Sequence, residues 1–489
     1  MKKILVPLLI LLSAAAYCVD FKTDKPGNLY VPGDDMRAEF ISDTAAPWSV
    51  TFRDSFGNAI GRKDGKSSEK FALKLPKVMG CVRIEWSHGG DSGAVYYGLI
   101  PDNSALFGKP GSPFGVNTHF NQGWDLALGE TARRAGITWI RDGEANPDDR
   151  GVAAAKKYGL RYMPCFTFSV VDTLPSIIEK TKKGDTDFAE EIDFFVKFAE
   201  KYGDFVTVYD ICNEPNNTPW TNLGGDWSGG PWLDVFCKWG AQVAAAIRKV
   251  DSDAEIMWED IDIGHLWAKQ MAENGITTEA DIIAAHPYNL HRENPLPENQ
   301  GFDKDNDELR KLMAEKGLKW RLMDGEVGYS SYEVNESNKD HHYTPCSPLL
   351  QASWLARMYI THLSNGVERV FWYDLKCDGA DPHEPEHNFG LIRHDGTPKP
   401  AICAYANLIN ILDGCRWTGF WDGIYTFVSR DGKKCAAAWV PTGTGTASLK
   451  TDARKATLID LFGNRRTVKP VKGELKLTLT ESPVYLIGL

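Results

Sequence analysis

Phe205-Val-Thr-Val-Tyr-Asp-Ile-Cys212 runs directly into Asn213-Glu214-Pro215-Asn216. A nearly continuous apolar run of this length reads as a strand buried on both faces, and the proline that follows reads as its turn. The stretch therefore sets a carboxylate and an amide where a parallel strand stops. Lys319-Trp-Arg-Leu-Met-Asp-Gly-Glu326-Val-Gly repeats the pattern with a second carboxylate. In a barrel of parallel strands, groups that do chemistry sit at such C-terminal strand ends, where loops leave a pocket open.

Working outward, further strands are predicted at Phe114–Phe120, Ile137–Asp142, Arg161–Phe168, Ala254–Asp260, Asp281–Tyr288 and Arg369–Lys376. Amphipathic stretches such as Trp124–Ala135, Phe188–Tyr202, Trp232–Val250, Leu349–Ser364 and Lys399–Leu412 alternate with them. Strand and helix in eightfold alternation give an α/β chain closing as a (β/α)8 TIM barrel. Short alternating pieces such as Trp48–Phe52 and Cys81–Trp86 precede the barrel, and Gly108-Lys-Pro-Gly-Ser-Pro113 reads as a linker. After Gly414 the helical period is lost. The expected organisation is an export signal over 1–18, an all-β, sandwich-like N-terminal domain over 19–107, the barrel over 108–413, and a small C-terminal β domain over 414–489.

The 489 residues carry a net charge of −11, which disfavours a nucleic-acid partner, since phosphate binding needs a basic face. Lys2-Lys3, the apolar run Ile4–Leu12 and Ala14-Ala15-Ala16 read as a cleavable signal, too short to span a bilayer. The expectation is a soluble exported protein, with lipid anchoring at Cys18 disfavoured by the bulky Tyr17 before it. Among the cysteines, Cys403–Cys415 and Cys415–Cys435 are the pairings that export would permit.

Two carboxylates on separate strand ends are what glycoside hydrolysis requires. Glu214 is the expected acid/base and Glu326 the expected nucleophile. Asp324 competes with Glu326, because a period of two puts both on one strand face. Arg141 can hold a carboxylate in a bidentate fork, or pair with Asp142 or Glu144. Asn213 can bond a sugar hydroxyl or cap the turn. His286 and Tyr288 alternate on one face, as a pocket wall would. Trp220, Trp227 and Trp232 follow the acid/base and offer either subsite walls or loop anchors. His341, His342, His383 and His387 read as loop residues near the last two strand ends. No histidine has metal-ligand spacing beside either Glu, so no metal and no cofactor is assigned.

Asn213-Glu214-Pro215-Asn216 with Glu326-Val-Gly resembles the glycoside hydrolase clan A of retaining (β/α)8 enzymes, most closely family 39 and family 5-like β-glycosidases. Gly115-Val-Asn-Thr-His119, Trp139-Ile-Arg141-Asp142, Ala285-His286-Pro-Tyr288 and Phe371-Trp372-Tyr373 match other strand ends of that clan. The resemblance implies that His119 faces the sugar and Arg141 keeps the nucleophile ionised. It also implies that the Tyr288 hydroxyl contacts the nucleophile and that Trp372 floors the subsite. The expected function is an exported retaining β-glycosidase, exo-acting on oligosaccharides or glycan ends. Alternatives are an endo-acting β-glycanase, a non-catalytic carbohydrate-binding barrel and a metal-dependent hydrolase. The loops Asn289–Asp307 and Tyr332–Ser347 favour a closed pocket. The sugar stays open; Arg292, Arg393 and His394 are the cations an acidic sugar would meet. No oligomeric state follows from the sequence.

Overall fold

A computed structural model describes residues 20–489, apart from Glu144, Pro147, Thr218, 226–229, 261–264, 275–278, 289–293 and Gln300. The export segment, Trp227 and Arg292 thus lie outside the described residues. The chain divides into two compact units. One comprises 20–24, 34–77 and 82–95; the other comprises 25–33, 78–81 and 96–489.

The smaller unit is antiparallel β. Its long strand Arg37–Arg53 pairs with Ala59–Lys74 on one side. On its other side lie Asp20–Lys22 and then Gly80–His88. Phe71 stacks on Phe40 and on Trp48, with ring centroids 4.9 and 4.0 Å apart.

The larger unit is built on eight parallel strands: Phe114–Thr118, Trp139–Asp142, Arg161–Pro164, Val208–Asp210, Glu255–Asp260, Ile282–Ala285, Arg321–Val327 and Val370–Trp372. They neighbour one another in chain order, with the eighth beside the first. The third and fourth meet through a parallel bridge at Cys165 and Asp210, where the Phe166 N–H donates to the Asp210 carbonyl at 3.2 Å. The barrel is closed.

A helix follows every strand, and two follow the third. Gly136 and Gly159 end the first two helices at φ +92° and +72°, a left-handed turn that sends the chain straight into the next strand. Pro231, Pro348 and Pro400 open later helices, where a missing N–H costs nothing. The helix Phe302–Lys316 occupies part of what the sequence suggested was the loop 289–307.

Inside the barrel, Trp139, Met163, Val208, Met257, Ile282, Ala284, Met323 and Phe371 pack as one apolar layer. Strand residues alternate in direction, so the residues two further along return to the interior one step nearer the mouth. They are Arg141, Cys165, Asp210, Glu259, His286, Gly325 and Tyr373, joined by Asn117 of the first strand. The site is the polar layer of the barrel.

The C-terminal segment forms a six-stranded sheet from Arg416–Trp421 to Val484–Ile487, with a two-stranded ribbon of Thr444–Lys450 and Glu474–Thr480. Leu475, Leu477 and Leu479 of the ribbon pack on Ile424, Ala436, Ala438 and Leu486 of the sheet. Tyr425, Phe427, Ala437 and Tyr485 on the opposite face join the core of the barrel helices. Fully buried Arg357 of helix Pro348–Ser364 donates to both Glu298 oxygens at 2.7 and 2.6 Å and to the Pro441 carbonyl at 3.2 Å. Trp439 Nε1 donates to the same Glu298. All nine described cysteines are free thiols, so neither pairing weighed from sequence forms.

Gly115 leaves room for the Phe371 ring, which a Cβ would meet at 2.4 Å. Gly115→Ala is expected to destabilise the fold by about 1–3 kcal/mol through overpacking. Denaturant unfolding would read this as a lower midpoint at unchanged slope.

Candidate active site

Arg141 stands at the centre of the polar layer, almost wholly buried. Its Nε donates to Asp210 Oδ2 at 2.8 Å, and Nη1 donates to Asn117 Oδ1 at 2.9 Å and Glu326 Oε2 at 3.2 Å. Nη2 donates to Asn213 Oδ1 and Glu259 Oε1, both at 2.7 Å. One guanidinium thus ties together the ends of the first, second, fourth, fifth and seventh strands. Its planar fork of donors is what allows this. Asp142 faces away from Arg141 and accepts from Thr118 Oγ1 and the Phe120 and Asn121 N–H groups, fixing the loop after the first strand.

His286 lies between two carboxylates. Its Nδ1 is 2.9 Å from Glu214 Oε1 and its Nε2 is 2.9 Å from Glu259 Oε1. Burial alone would lower its pKa, but Glu259 and Glu214 outweigh burial and hold it well above the usual histidine value. That shift favours the protonated ring, which can donate to both carboxylates. Burial likewise disfavours charge on Glu259, yet Arg141 and His286 keep it ionised. Asp210 goes the other way, pushed up by burial and by the charge on Glu259.

Glu214 takes a backbone φ of +43°, in the left-handed region that non-glycine residues seldom occupy. Its N–H is anchored on Glu259 Oε2 at 2.9 Å, and its carboxyl faces His286. Strain held by surrounding hydrogen bonds is a frequent mark of a functional position. Across the mouth, Glu326 accepts from the Tyr288 hydroxyl at 2.8 Å on Oε1 and from Arg141 on Oε2. An oxygen of Glu214, an oxygen of Glu326 and a ring nitrogen of His286 all lie within 4.8 Å of one another.

Asp324 does not share a face with Glu326. A bulge between Asp324 and Val327 breaks the period of two against the eighth strand. Asp324 turns outward, fully buried, and pairs with His362 Nδ1 at 2.7 Å, while Glu326 reaches the mouth. Gly325 between them allows this packing, because a Cβ there would sit 2.8 Å from Glu259 Oε1 and 3.1 Å from His286 Nε2.

The cavity above this layer has a volume of about 630 Å3. Asn117, His119, Trp124, Arg141, Asn213, Glu326, Tyr373, Asp378 and Glu386 are among its lining residues. His119 Nδ1 lies 3.1 Å from Asp378 Oδ1; burial lowers its pKa, but Asp378 more than compensates and the net shift is upward. Burial raises Glu386, against a hydrogen bond from Tyr343. Asp374 is buried with neither oxygen partnered among the described residues, and burial together with Asp378 pushes it well above the carboxylate range. His119, Asp374 and Asp378 also bring ligand-type atoms within 4.8 Å of each other. The other such cluster is Glu214, His286 and Glu326.

Of the residues named from sequence, Glu214, Glu326, His119, Arg141, Asn213, His286 and Tyr288 gather at this mouth. Trp372 does not. Alternation along the eighth strand points Phe371 and Tyr373 inward and Trp372 outward, where it is fully buried and donates to the Phe389 carbonyl at 3.3 Å. Tyr373 lines the cavity instead. Trp220 in the loop and Trp232 in the helix Pro231–Val250 are fully buried too, both packing on Phe236 of that helix, so they wall no subsite. Asn117, Asp210, Glu259, Tyr373, Asp378 and Glu386 were missed from sequence. The first four are the interior positions one step above the apolar layer, a signal that needed the register of each strand.

No family model and no curated protein matches the sequence. A solved family 39 glycoside hydrolase from the gut symbiont Bacteroides cellulosilyticus WH2 superposes with a TM-score of 0.73 over 96% of this chain and 100% of its own. The two chains share a fold. Their sequence identity is 19%. Weaker likenesses are to β-glucuronidase 2 of Bacteroides uniformis and to the β-glucuronidase of Ruminococcus gnavus. The first has a TM-score of 0.43 and 13% identity over 94% of this chain and 57% of that one. The second has a TM-score of 0.41 and 13% identity over 80% of this chain and 66% of that one.

Two measurements test the site. Gly325→Ala is expected to leave the fold intact but to displace Glu259 and His286, lowering turnover on the order of 100-fold. The second concerns pH. A histidine raised above 6.5 by folding contributes stability that is full below that pH and is lost as pH rises through the folded value. Urea unfolding across the range above 6.5 should therefore show falling stability in the native protein and a flatter profile in His286→Gln.

Proposed function

We propose that the protein is a retaining β-glycosidase with Glu214 as acid/base and Glu326 as nucleophile. The observation that carries this is the separation of the two carboxyls, whose nearest oxygens lie within 4.8 Å. Retaining enzymes hold the pair roughly 5–5.5 Å apart, whereas inverting ones need about 6.5–9.5 Å to admit a water.

Arg141 and Tyr288 each occupy one edge of Glu326, aiming the carboxylate and complementing its charge before attack. As Glu326 attacks the anomeric carbon, Glu214 gives its proton to the leaving oxygen. His286 donates to the other Glu214 oxygen and supports the carboxylate that forms. A water deprotonated by Glu214 then releases the sugar from Glu326. With its oxygen committed to Arg141, Asn213 has only N–H donors to offer the substrate. Exo action on oligosaccharides or glycan ends belongs to the same proposal, with Tyr343 packed on Tyr288 and Phe389 beside the site.

Aryl β-glycosides test the assignment. Glu326→Ala is expected to abolish release, and Glu214→Ala to reduce it by about 100- to 10,000-fold. Azide should restore turnover in both, as an α-glycosyl azide from the first and a β-glycosyl azide from the second. Activity unchanged in either variant, or abolished by a chelator, would count against the mechanism.

Export rests on the residues Lys2 to Ala16. Expression of the full chain in a bacterium should give a soluble periplasmic or secreted product shortened at its N-terminus. Recovery with the membranes, with lipid on Cys18, would favour anchoring instead.

A further inference from the structure

The cavity wall is rich in carboxyl groups. Glu326, Asp378 and Glu386 line it, with Glu214 beside them. Arg141 and His119 are the potentially cationic side chains among the described lining residues. Both are already engaged: Arg141 meets Asp210, Glu259 and Glu326, and His119 meets Asp378. Lys376 lies over the Trp124 ring, 5.1 Å from its centroid. Of the loop cations singled out from sequence, Arg393 sits 3.4 Å over the Tyr96 ring and donates to the Pro398 carbonyl. His394 faces the Cys377 carbonyl at 3.2 Å. Neither lines the cavity. A sugar carboxylate entering here would therefore find no uncommitted cation among the described lining residues, whereas sugar hydroxyls would meet carboxylate acceptors.

We propose that the site takes a glycone without a carboxylate and rejects hexuronates, with Asp378 and Glu386 as the residues that enforce the choice. This deepens the glycosidase reading and rests on it. Carboxylate oxygens accept hydrogen bonds, so Asp378 and Glu386 suit sugar hydroxyls and offer a sugar carboxylate no N–H donor. Asp378 is held for this by His119 at 3.1 Å on one oxygen and the Tyr373 hydroxyl at 3.5 Å on the other. Glu386 is held by the Tyr343 hydroxyl. These partners leave both carboxyl groups at the cavity wall.

The test compares kcat/KM for nitrophenyl β-glycosides of neutral pentoses and hexoses with the matching β-hexuronides. Like charges about 5 Å apart at a protein surface predict a preference for the neutral sugar on the order of 100-fold. Glu386→Gln and Asp378→Asn should narrow that ratio, losing rate on neutral glycosides while the hexuronide holds or gains. A parallel fall on both classes would remove these residues from the specificity role. A hexuronide cleaved as well as or better than every neutral glycoside would overturn the proposal. If nothing is cleaved, ligand-observed NMR on Glu326→Ala with methyl β-glycosides and methyl β-hexuronides separates the two readings. Selective binding of a neutral glycoside would uphold the specificity while the catalytic reading fails. Preference for the hexuronide, or binding of neither, would overturn it.

Discussion

The Arg141 guanidinium holds Asn117, Asp210, Asn213, Glu259 and Glu326 directly, and His286, Tyr288 and Glu214 through one of these. Burying an arginine among carboxylates is unfavourable unless every charge finds a partner. Here Arg141 and His286, raised toward its protonated form, are set against Glu259 and Glu326, with Asp210 pushed toward its neutral form. The layer is nearly balanced, so no single member can change without leaving another uncompensated. That interdependence explains why a network so costly to bury gives a rigid frame, and why the two facing carboxyls stand at a fixed separation.

The same network gives the two carboxyls unequal surroundings. Glu326 receives a permanent cation and a phenol, both donors suited to a carboxylate. Glu214 receives a histidine already shared with Glu259 and a backbone held in a left-handed turn. Two identical side chains are thereby offered different chemistry by position alone, the pattern that acid and nucleophile roles require.

The barrel was legible because period and strand-end chemistry repeat eight times, and the facing pair was legible because Asn213-Glu214-Pro215 and Glu326 close two such strands. What lay beyond reach was direction. Glu259 and Asp210 look in a sequence like any solvated acids; only strand register turns them inward. Trp372 looked like a platform, yet its neighbour Tyr373 holds the inward position. Asp324 and Glu326 should have shared a face, and one inserted residue separates them. A bulge leaves no compositional trace, since it is set by pairing with a neighbour far along the chain.

The clamp of Arg357 on Glu298 joins matters that sequence would keep apart. Glu298 belongs to the short turn Pro297–Asn299 that follows the sixth strand, ten residues past Tyr288. Its carboxylate is gripped by a barrel helix and by Trp439 of the C-terminal sheet. The C-terminal sheet therefore braces the turn Pro297–Asn299, in the connection between the sixth strand and the helix Phe302–Lys316. A seam that looks modular on the linear map is mechanically continuous, so exchanging or trimming this domain would strip Glu298 of one of its two grips rather than merely shorten the chain.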